Sequence, residues 1–417
     1  MPSVKYSDLD VEMKSLRDWR QALRTPPTYR VGNSTLRIQT TFVTVIALLG
    51  LIILFILYTT SRRSPKFVSY SDLYRQRYIA PPLERYEKIT HLAVGDEYYN
   101  ATYPLTPPVS TPSGLKYRIG IISDLDTNSK SKLESNTWVS YLKTGYLIWH
   151  PNTHSVAIIW DRTDPVTFKS TFGHSGRGME LSELLVFNGK LISFDDRTGL
   201  IYEINLDTNM AIPWVLLMDG NGLTTKGFKS EWATVKDHRL YVGSMGKEWT
   251  TSGGELVNNN PMWIKTVTIS GQVSHINWEE QYKTLRRVMG VEFPGYIIHE
   301  SGVWSDLHQR WFFLPRRLSK ERFNDEADER MSTNILLSTD QHFTRVQVTY
   351  IGEIIPTHGF SSFKFLPGTD DTIIVALKSE EDRGKSASYV TVFHIDGKIL
   401  LPETKVADLK YEGIEFI

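Results

Sequence analysis

The chain contains no cysteine among its 417 residues. This absence excludes disulfide bonds, thiolate metal sites and cysteine nucleophiles, and it leaves the redox compartment undetermined. The chain also lacks an excess of either charge, because 47 Lys and Arg residues balance 47 Asp and Glu residues. Without a broad basic field, nucleic acid is not expected as the main partner. A Gly-rich loop ending in Lys-Ser or Lys-Thr is absent too, which excludes a P-loop nucleotide site.

Aromatic residues and short apolar runs are abundant. The chain has 11 Trp, 20 Tyr and 18 Phe residues, a composition typical of an all-β core. From about residue 116 onward, short apolar runs alternate with turn residues, which predicts a sandwich, barrel or propeller. One stretch is typical of a helix, from a cap at Asn277 with its capping-box partner Glu280 to a stop at Gly290.

A long apolar stretch runs from Thr40 to Thr60, with no charged residue between Arg37 and Arg62. About 20 apolar residues are enough to span a bilayer as a helix whose backbone polar groups are all satisfied. The stretch is too long, and too far from the N-terminus, for an ordinary secretory signal. The sequence therefore predicts a single transmembrane helix at 40–60 that acts as a signal-anchor.

The segments around this stretch differ in composition. Residues 1–39 form a polar tail, residues 61–115 a Pro-rich stem, and residues 116–417 a folded domain. Basic residues on both sides of the span, and sequons at Asn33 and Asn100, leave the orientation undecided by themselves. A short basic tail before one span most simply places the tail in the cytosol and the stem and domain in the lumen. Asn100, in Asn100-Ala101-Thr102, is then the predicted glycosylation site.

A hairpin pattern begins near Arg177 and recurs along the domain. Apolar runs at 184–187 and 191–194 are joined by Asn188-Gly189, a pair that tolerates positive φ. The recurring form is a polar or acidic residue, an apolar strand, a turn and a second apolar strand. Its five leading residues are Ser182, Glu231, Glu300, Ser361 and Glu412. They are spaced by about 50 to 70 residues, which predicts an all-β, five-bladed β-propeller with one four-stranded blade per unit.

The five leading residues are candidates for a central site. Equivalent positions on the inner strands of a propeller converge on its channel, so these residues would form a ring of three carboxylates and two hydroxyls. Carboxylates that lie together repel each other unless a cation compensates them. Oxygen ligands suit Ca²⁺ better than Zn²⁺ or copper. Two interpretations remain open at this point: a central calcium site, and carboxylates paired with Arg and Lys around a structural channel.

Several longer blocks carry a resemblance to a known family. Among them are Asp124-Leu125-Asp126-Thr127, Arg177-Gly178-Met179-Glu180-Leu181-Ser182, Asp195-Asp196-Arg197-Thr198-Gly199 and Lys410-Tyr411-Glu412-Gly413-Ile414-Glu415-Phe416-Ile417. From about Tyr99 to Ile417 the chain resembles the calcium-activated nucleotidases (the calcium-dependent apyrase family), in particular their membrane-anchored endoplasmic reticulum and Golgi type. The resemblance implies a five-bladed propeller with a central Ca²⁺ ion. The implied ligands are Ser182, Glu231, Glu300, Ser361 and Glu412, and Glu183, which stands where relatives commonly have Asp, is a further candidate.

The resemblance also implies a reaction, the Ca²⁺-dependent hydrolysis of nucleoside di- and triphosphates such as UDP and GDP. Asp126 and Asp196 match acidic positions that are essential in the family, and they are predicted to activate water or position the nucleotide. Arg177, Arg197 and Arg316 are candidates for contact with phosphate, and for each a surface ion pair is an equally good interpretation.

The implied setting is a single-pass type II membrane protein of the endoplasmic reticulum or Golgi. Its lumenal domain would clear nucleoside diphosphates left by glycosyltransferases, and cleavage in the stem would release a soluble form. Relatives suggest a homodimer favoured by Ca²⁺. The alternatives are a secreted apyrase that acts on ATP and ADP, and a non-enzymatic scaffold with a structural Ca²⁺ ion. A scaffold would tolerate the loss of Asp126 and Asp196 and would release no phosphate.

Overall fold

The computed structural model describes residues 28–31, 34–37, 48–54, 91–94, 97–112 and 114–417, and it divides the chain into two units, 1–69 and 70–417. In the first unit, the segment predicted as a polar tail contains a hairpin of β1 (Thr28–Val31) and β2 (Ser34–Arg37). Of the predicted span at 40–60, residues 48–54 are helical and exposed, and the remainder lies outside the described residues. Within the described parts of the chain, no helix has the length and apolar character needed to cross a bilayer.

The first described residues of the second unit form short strands in the segment predicted as a stem. A hairpin of β3 (His91–Val94) and β4 (Glu97–Asn100) comes first, and β5 (Val109–Thr111) pairs with the start of β6. The next strands are β6 (Gly114–Ser123), β7 (Trp138–His150), β8 (Ser155–Trp160) and β9 (Val166–Ser170). β7 pairs with β6, β8 and β9, all antiparallel. Regular structure therefore extends to the N-terminal side of residue 116.

Four complete antiparallel sheets follow in chain order. The first has β10 (Leu181–Phe187), β11 (Lys190–Asp195), β12 (Leu200–Asn205) and β13 (Met210–Leu216). The second has β14 (Trp232–Lys236), β15 (Arg239–Gly243), β18 (Trp263–Val267) and β19 (Val273–Asn277). A separate small hairpin of β16 (Trp249–Thr250) and β17 (Leu256–Asn258) lies between β15 and β18 in the chain. The third has β20 (Tyr296–Ser305), β21 (Arg310–Ser319), β22 (Ile335–Asp340) and β23 (Val346–Tyr350); the fourth has β24 (His358–Phe365), β25 (Ile373–Asp382), β26 (Lys385–His394) and β27 (Ile399–Ala407).

The last strand, β28 (Tyr411–Phe416), completes the fifth sheet. It pairs antiparallel with β6, with Phe416 opposite Ile119, so the two ends of the domain share one blade. The innermost strands β10, β14, β20, β24 and β28 contact one another in a closed ring. The structure therefore confirms the predicted five-bladed β-propeller.

Burial decreases from the centre of each blade outward. Every residue of β10, β24 and β28 is buried, whereas most residues of the outer strands β13 and β27 are partly or fully exposed. Apolar side chains fill the space between adjacent blades. Between the second and third blades, Trp232 packs edge-on against Trp311 and Phe313, with ring centroids 6.3 Å and 5.7 Å apart. Such packing holds the inner strands in place.

The predicted helix lies between the second and third blades. α1 spans Glu279–Val288 and buries Tyr282 and Leu285. The predicted capping box is wrong: the N-cap is Trp278, and Asn277 Oδ1 accepts a hydrogen bond from the N–H of Glu279 at 2.9 Å. The Glu280 side chain bonds Arg287 at 2.9 Å because i, i+7 neighbours share one face of the helix. A short second helix, α2, spans Asp325–Asp328.

The residues that lead into the propeller pack against its blades. Tyr99 is buried in the core of the first two blades, and the Tyr103 hydroxyl donates to Glu415 Oε1 at 2.9 Å. Asn100 is half-buried, and its N–H donates to Asn188 Oδ1 in the turn of the first hairpin at 2.7 Å. Its glycosylation stays a prediction.

Candidate functional site

Four of the five leading residues lie where the pairing register of an inner strand is interrupted, and the fifth lies at the start of an inner strand. The pairing register skips Ser182 in β10, Ser361 in β24, Glu412 in β28, and Glu300 together with Ser301 in β20. Glu231 immediately precedes β14, and its N–H donates to the Gly243 carbonyl at 2.8 Å. A bulge leaves a residue out of the ladder and re-aims its side chain. The positions identified by the sequence repeat are therefore structurally equivalent: four are bulge residues of inner strands, and the fifth is at a strand start.

The three glutamates of this ring are held in a poorly solvated environment. Burial raises the pKa of Glu231 to about 8, with Glu300 and Asp196 adding to the rise and Lys229 opposing it. Burial likewise raises the pKa of Glu300, and it raises that of Glu412 well above its ordinary value. Raised pKa values show that nearby positive charge does not fully balance the negative charge of these clustered carboxylates. A bound cation would supply the missing positive charge.

Basic side chains compensate part of this charge. Lys229 lies 2.7 Å from Glu231 and also pairs with Asp196. Arg316 lies 2.8 Å from Glu300 and 3.3 Å from Glu412. The sequence left open that the ring carboxylates are paired with Arg and Lys around a structural channel. These contacts show that such ion pairs are present at the ring.

The compensation is incomplete. The ion pairs of the ring and its surroundings join eight carboxylates, Asp124, Asp126, Glu180, Asp196, Glu231, Glu300, Glu381 and Glu412, to four bases, Arg177, Lys229, Arg316 and Lys410. When all are ionised, the set has an excess of four negative charges. In addition, the buried Oδ1 of Asp196 has no hydrogen-bond partner among the described atoms. An all-oxygen donor set with surplus negative charge fits a divalent cation such as Ca²⁺.

A second acidic group lies beside the ring. One carboxylate oxygen from each of Asp124, Asp126 and Glu180 falls within 4.8 Å of the others. Asp126 has a positive φ of 48°, and its N–H donates to Asp124 Oδ1 at 2.8 Å. Lys410 Nζ bonds Asp124 at 3.0 Å and Asp126 at 2.9 Å. Because Lys410 also lies 3.5 Å from Glu412, it connects this acidic group to the ring.

Arg177 and Asp196 complete this end of the channel. Arg177 Nε donates to Glu180 Oε1 at 2.7 Å, and its Nη2 lies 3.2 Å from Asp126. Burial raises the pKa of Glu180 to about 7, although the Arg177 hydrogen bond opposes this. The Asp196 N–H donates to the Glu180 carbonyl at 3.0 Å. The structure thus brings the two predicted catalytic aspartates, Asp126 and Asp196, beside the ring. We call the ring, the second acidic group, Arg177 and Asp196 together the mouth of the channel.

The other predicted site residues lie in different surroundings. Arg316 is buried inside the ring network and also bonds Glu381 at 2.7 Å. Arg197 is half-buried, and its Nε has no partner within the described residues. Glu183 is buried and accepts hydrogen bonds from Ser362 at 2.7 Å and Lys364 at 3.0 Å. The roles of these three residues stay predictions.

Sequence reasoning missed the two lysines of the mouth. Lys229 and Lys410 each precede a ring glutamate by two residues, in Lys229-Ser230-Glu231 and Lys410-Tyr411-Glu412. This repeated Lys-x-Glu spacing was the available signal, because alternate residues of an extended segment lie on one side. Glu180 likewise stands two residues before a ring residue, Ser182, but it is acidic where the other two positions are basic.

The fold and site define an all-β propeller with an acidic, cation-compatible site at one mouth of its channel. The apyrase family model matches residues 125–417. The chain is 57% identical over 319 residues to soluble calcium-activated nucleotidase 1 of Rattus norvegicus, covering 76% of this chain and 78% of that protein. It is 44% identical over 390 residues to the apyrase of Cimex lectularius, covering 93% and 99%, and 46% identical over 304 residues to apyrase apy-1 of Caenorhabditis elegans, covering 72% and 84%. The chain belongs to the apyrase family of nucleotide-hydrolysing enzymes, which confirms the resemblance to calcium-activated nucleotidases, while the membrane-anchored type stays a prediction.

Proposed function

We propose that this protein hydrolyses nucleoside di- and triphosphates to release phosphate, and that it requires Ca²⁺. The observation that carries the calcium requirement is the excess of carboxylates over bases at the mouth. A polyphosphate brings further negative charge and would be repelled from such a site unless a cation were bound. The names of the relatives, calcium-activated nucleotidase and apyrase, point to the same activity.

Ser182, Glu231, Glu300, Ser361 and Glu412 would hold the Ca²⁺ ion through their side-chain oxygens. When bound, Ca²⁺ supplies positive charge that offsets the polyphosphate and polarises phosphoryl oxygens. Glu183 is tied to Lys364 and Ser362, so a contribution to the ion would require it to exchange these partners.

Asp126 and Asp196 would act on the attacking water. In the reaction, the water oxygen forms a bond to the terminal phosphorus while the anhydride P–O bond breaks, and a carboxylate accepts the water proton. Asp196 suits this task because its Oδ1 has no hydrogen-bond partner among the described atoms. Asp126 is the more exposed of the two and lies where an incoming nucleotide would arrive. Arg177, which lies 3.2 Å from Asp126, is a proposed phosphate contact, as are Arg197 and Arg316.

A panel of nucleotides tests the proposal. Phosphate release from UDP, GDP, ADP and ATP is measured with Ca²⁺, with Mg²⁺ and with chelator. We expect release with Ca²⁺ and loss of release in chelator. Full activity with Mg²⁺ alone would contradict the calcium requirement, and no release under any condition would support the scaffold alternative.

We further propose a lumenal location and a role in removing nucleoside diphosphates formed by glycosyltransferases. The apolar stretch at 40–60 and the sequon at Asn100 support this location. In microsomes, the folded domain should resist added protease, and Asn100→Gln should remove a mobility shift that glycosidase also removes. A domain that protease digests in intact microsomes would contradict the orientation.

A homodimer favoured by Ca²⁺, which the family resemblance implies, is a further proposal with its own measurement. Sedimentation of the folded protein with Ca²⁺ and with chelator should show a larger species with Ca²⁺. Identical sedimentation under both conditions would contradict it.

A further inference from the structure

Two lysines at the mouth have the same arrangement. Lys229 Nζ lies 2.7 Å from the ring residue Glu231 and also bonds Asp196. Lys410 Nζ lies 3.5 Å from the ring residue Glu412 and 2.9 Å from Asp126. Each ammonium group therefore contacts one ring glutamate and one predicted catalytic aspartate, and Lys410 also contacts Asp124 at 3.0 Å and Glu381 at 3.5 Å. Both lysines stand two residues before their glutamate, in different blades.

Two arginines of the site, Arg177 and Arg316, are held by several carboxylate contacts, whereas Arg197 Nε has no partner among the described atoms. Arg177 makes two hydrogen bonds to Glu180, through Nε and Nη2. Arg316 is buried and joins Glu300, Glu381 and Glu412. A planar guanidinium held by several carboxylates keeps its geometry, whereas an ammonium on a flexible stem can rotate to a new acceptor. The exposed fraction of the side chain is 28% for Lys229, 10% for Lys410, 4% for Arg316 and 31% for Arg177, so the contrast in mobility rests on the shape of the cationic group and not on exposure.

We infer that Lys229 and Lys410 are phosphate-contacting residues that exchange the ring glutamates for nucleotide phosphate when the ring holds a cation. This inference rests on the proposed function and adds two residues to it. With their charge compensated by a bound cation, Glu231 and Glu412 attract the lysines less, and the ammonium groups are repelled from the ring. Asp196 and Asp126 then keep each lysine at the mouth, where a diphosphate is the strongest available acceptor.

The consequence is a linkage between cation binding and nucleotide binding. In the cation-free protein the lysines are occupied by Glu231 and Glu412, and the site repels polyphosphate. In the cation-bound protein the lysines are available to it. Binding of one ligand must therefore strengthen binding of the other by the same factor.

The test measures binding rather than turnover. Calorimetric titration with Ca²⁺ and with a non-hydrolysable α,β-methylene nucleoside diphosphate is done on the full chain and on Lys229→Met and Lys410→Met. Lys405→Met is the matched control, because Lys405 is exposed and pairs with the exposed Asp408. We expect each mouth variant to bind the analogue at least tenfold more weakly in Ca²⁺ while its Ca²⁺ affinity is unchanged or higher. The control should match the unmodified chain.

A second measurement uses the unmodified chain and so does not depend on the folding of a variant. Acetylation of individual lysines is followed by mass spectrometry in chelator, in Ca²⁺, and in Ca²⁺ with the analogue. Lys229 and Lys410 should react faster in Ca²⁺ than in chelator and be protected by the analogue, while Lys405 should not change. The inference alone is overturned if the unmodified chain binds the analogue but the analogue does not protect Lys229 and Lys410. It is also overturned if the folded Lys229→Met and Lys410→Met variants bind the analogue as tightly as the unmodified chain. Absence of analogue binding by the unmodified chain in Ca²⁺ overturns the proposed function and this inference with it.

Discussion

Asp126 and Asp196 occupy positions of different exposure at the same mouth. The Asp126 side chain is 41% exposed, whereas Asp196 is buried and paired with Lys229. With Ca²⁺, Asp126→Ala and Asp196→Ala are each expected to lower phosphate release from UDP by about 100-fold or more, because each removes a carboxylate that acts on the attacking water. Thermal melts should show a smaller loss of stability for Asp126→Ala than for Asp196→Ala.

The exposed Asp207 provides the control for these variants. Asp207→Ala should retain full phosphate release and an unchanged melting temperature. Full activity in a folded Asp126→Ala or Asp196→Ala protein would remove that residue from the mechanism.

Glu183 and Lys364 form a buried pair whose two members depend on each other. Burial raises the pKa of Glu183, and Lys364 at 3.0 Å opposes this rise. Lys364→Met should lower the free energy of unfolding by about 3 kcal/mol or more, because it leaves an uncompensated buried carboxylate. The double variant Glu183→Gln, Lys364→Met should be clearly more stable than Lys364→Met in urea titrations.

The single variant Glu183→Gln tests the predicted role of Glu183 as a calcium ligand. If Glu183 contributes to the ion, Glu183→Gln must weaken Ca²⁺ binding in calorimetric titrations. An unchanged Ca²⁺ affinity would limit Glu183 to its structural pair with Lys364.

At the scale of elements, the turn between β10 and β11 depends on a glycine. Gly189 has a φ of +71°, and a Cβ atom there would lie 2.2 Å from Asn100 Nδ2. Gly189→Ala is therefore expected to lower the free energy of unfolding by more than about 1 kcal/mol, through backbone strain and displacement of Asn100. Chemical denaturation measures this loss.

Two other glycines separate the strain from the contact. Gly384 has a φ of +77° with no atom within 4 Å of an added Cβ, so Gly384→Ala reports the backbone strain alone. Gly253 has no positive φ and its nearest neighbour would lie at 3.9 Å, so Gly253→Ala should have little effect. Equal losses at Gly189 and Gly384 would show that Asn100 moves aside without penalty.

At the scale of the whole molecule, raised carboxyl pKa values couple stability to pH. Burial raises the pKa of Glu231 to about 8 and those of Glu180 and Glu415 to about 7. Unfolded glutamate titrates near about 4.3, so between these values the folded protein binds more protons than the unfolded chain. Burial lowers the pKa of His299 to about 3, which opposes this trend below about pH 6.5, but the three glutamates outnumber it. The free energy of unfolding in chelator is therefore expected to fall as pH rises from about 5 to 8.

Scanning calorimetry at pH 5 and pH 8 measures this dependence. In chelator, the melting temperature should be lower at pH 8. Added Ca²⁺ should restore stability at pH 8, because it binds only the folded arrangement of the ring. A melting temperature in chelator that does not change, or rises, between pH 5 and 8 would contradict this dependence.

Ring closure places the last strand among the elements on which the whole propeller depends. All residues of β28 are buried, and the Ile417 N–H donates to the Arg118 carbonyl at 3.0 Å. Deletion of residues 411–417 removes the innermost strand of one blade and should prevent cooperative unfolding detectable by calorimetry. Deletion of residues 28–31, in the other unit, is the comparison and should leave the propeller transition in place.

Much of the propeller was predictable because its determinants are local and repeated. The Asn188-Gly189 turn has φ values of 50° and 71°, as the residue pair predicts. Blade spacing identified Ser182, Glu231, Glu300, Ser361 and Glu412, and the structure places them at equivalent strand positions. The predicted Asn277 cap was wrong by one residue: the N-cap is Trp278, whose ring packs against Trp311 and Phe343.

The sequence by itself determined the blade number, the all-oxygen character of the ring and the family, since these follow from periodic spacing and residue type. Tertiary structure alone decided which charges share the mouth. Lys410 and Asp124 are 286 residues apart, and Arg316 and Glu412 are 96 apart, yet each pair is in contact. Ring closure sets those contacts, because it brings side chains from all five blades to one channel. The Lys-x-Glu spacing is a local signal for Lys229 with Glu231 and for Lys410 with Glu412, but no local pattern encodes the contacts between blades.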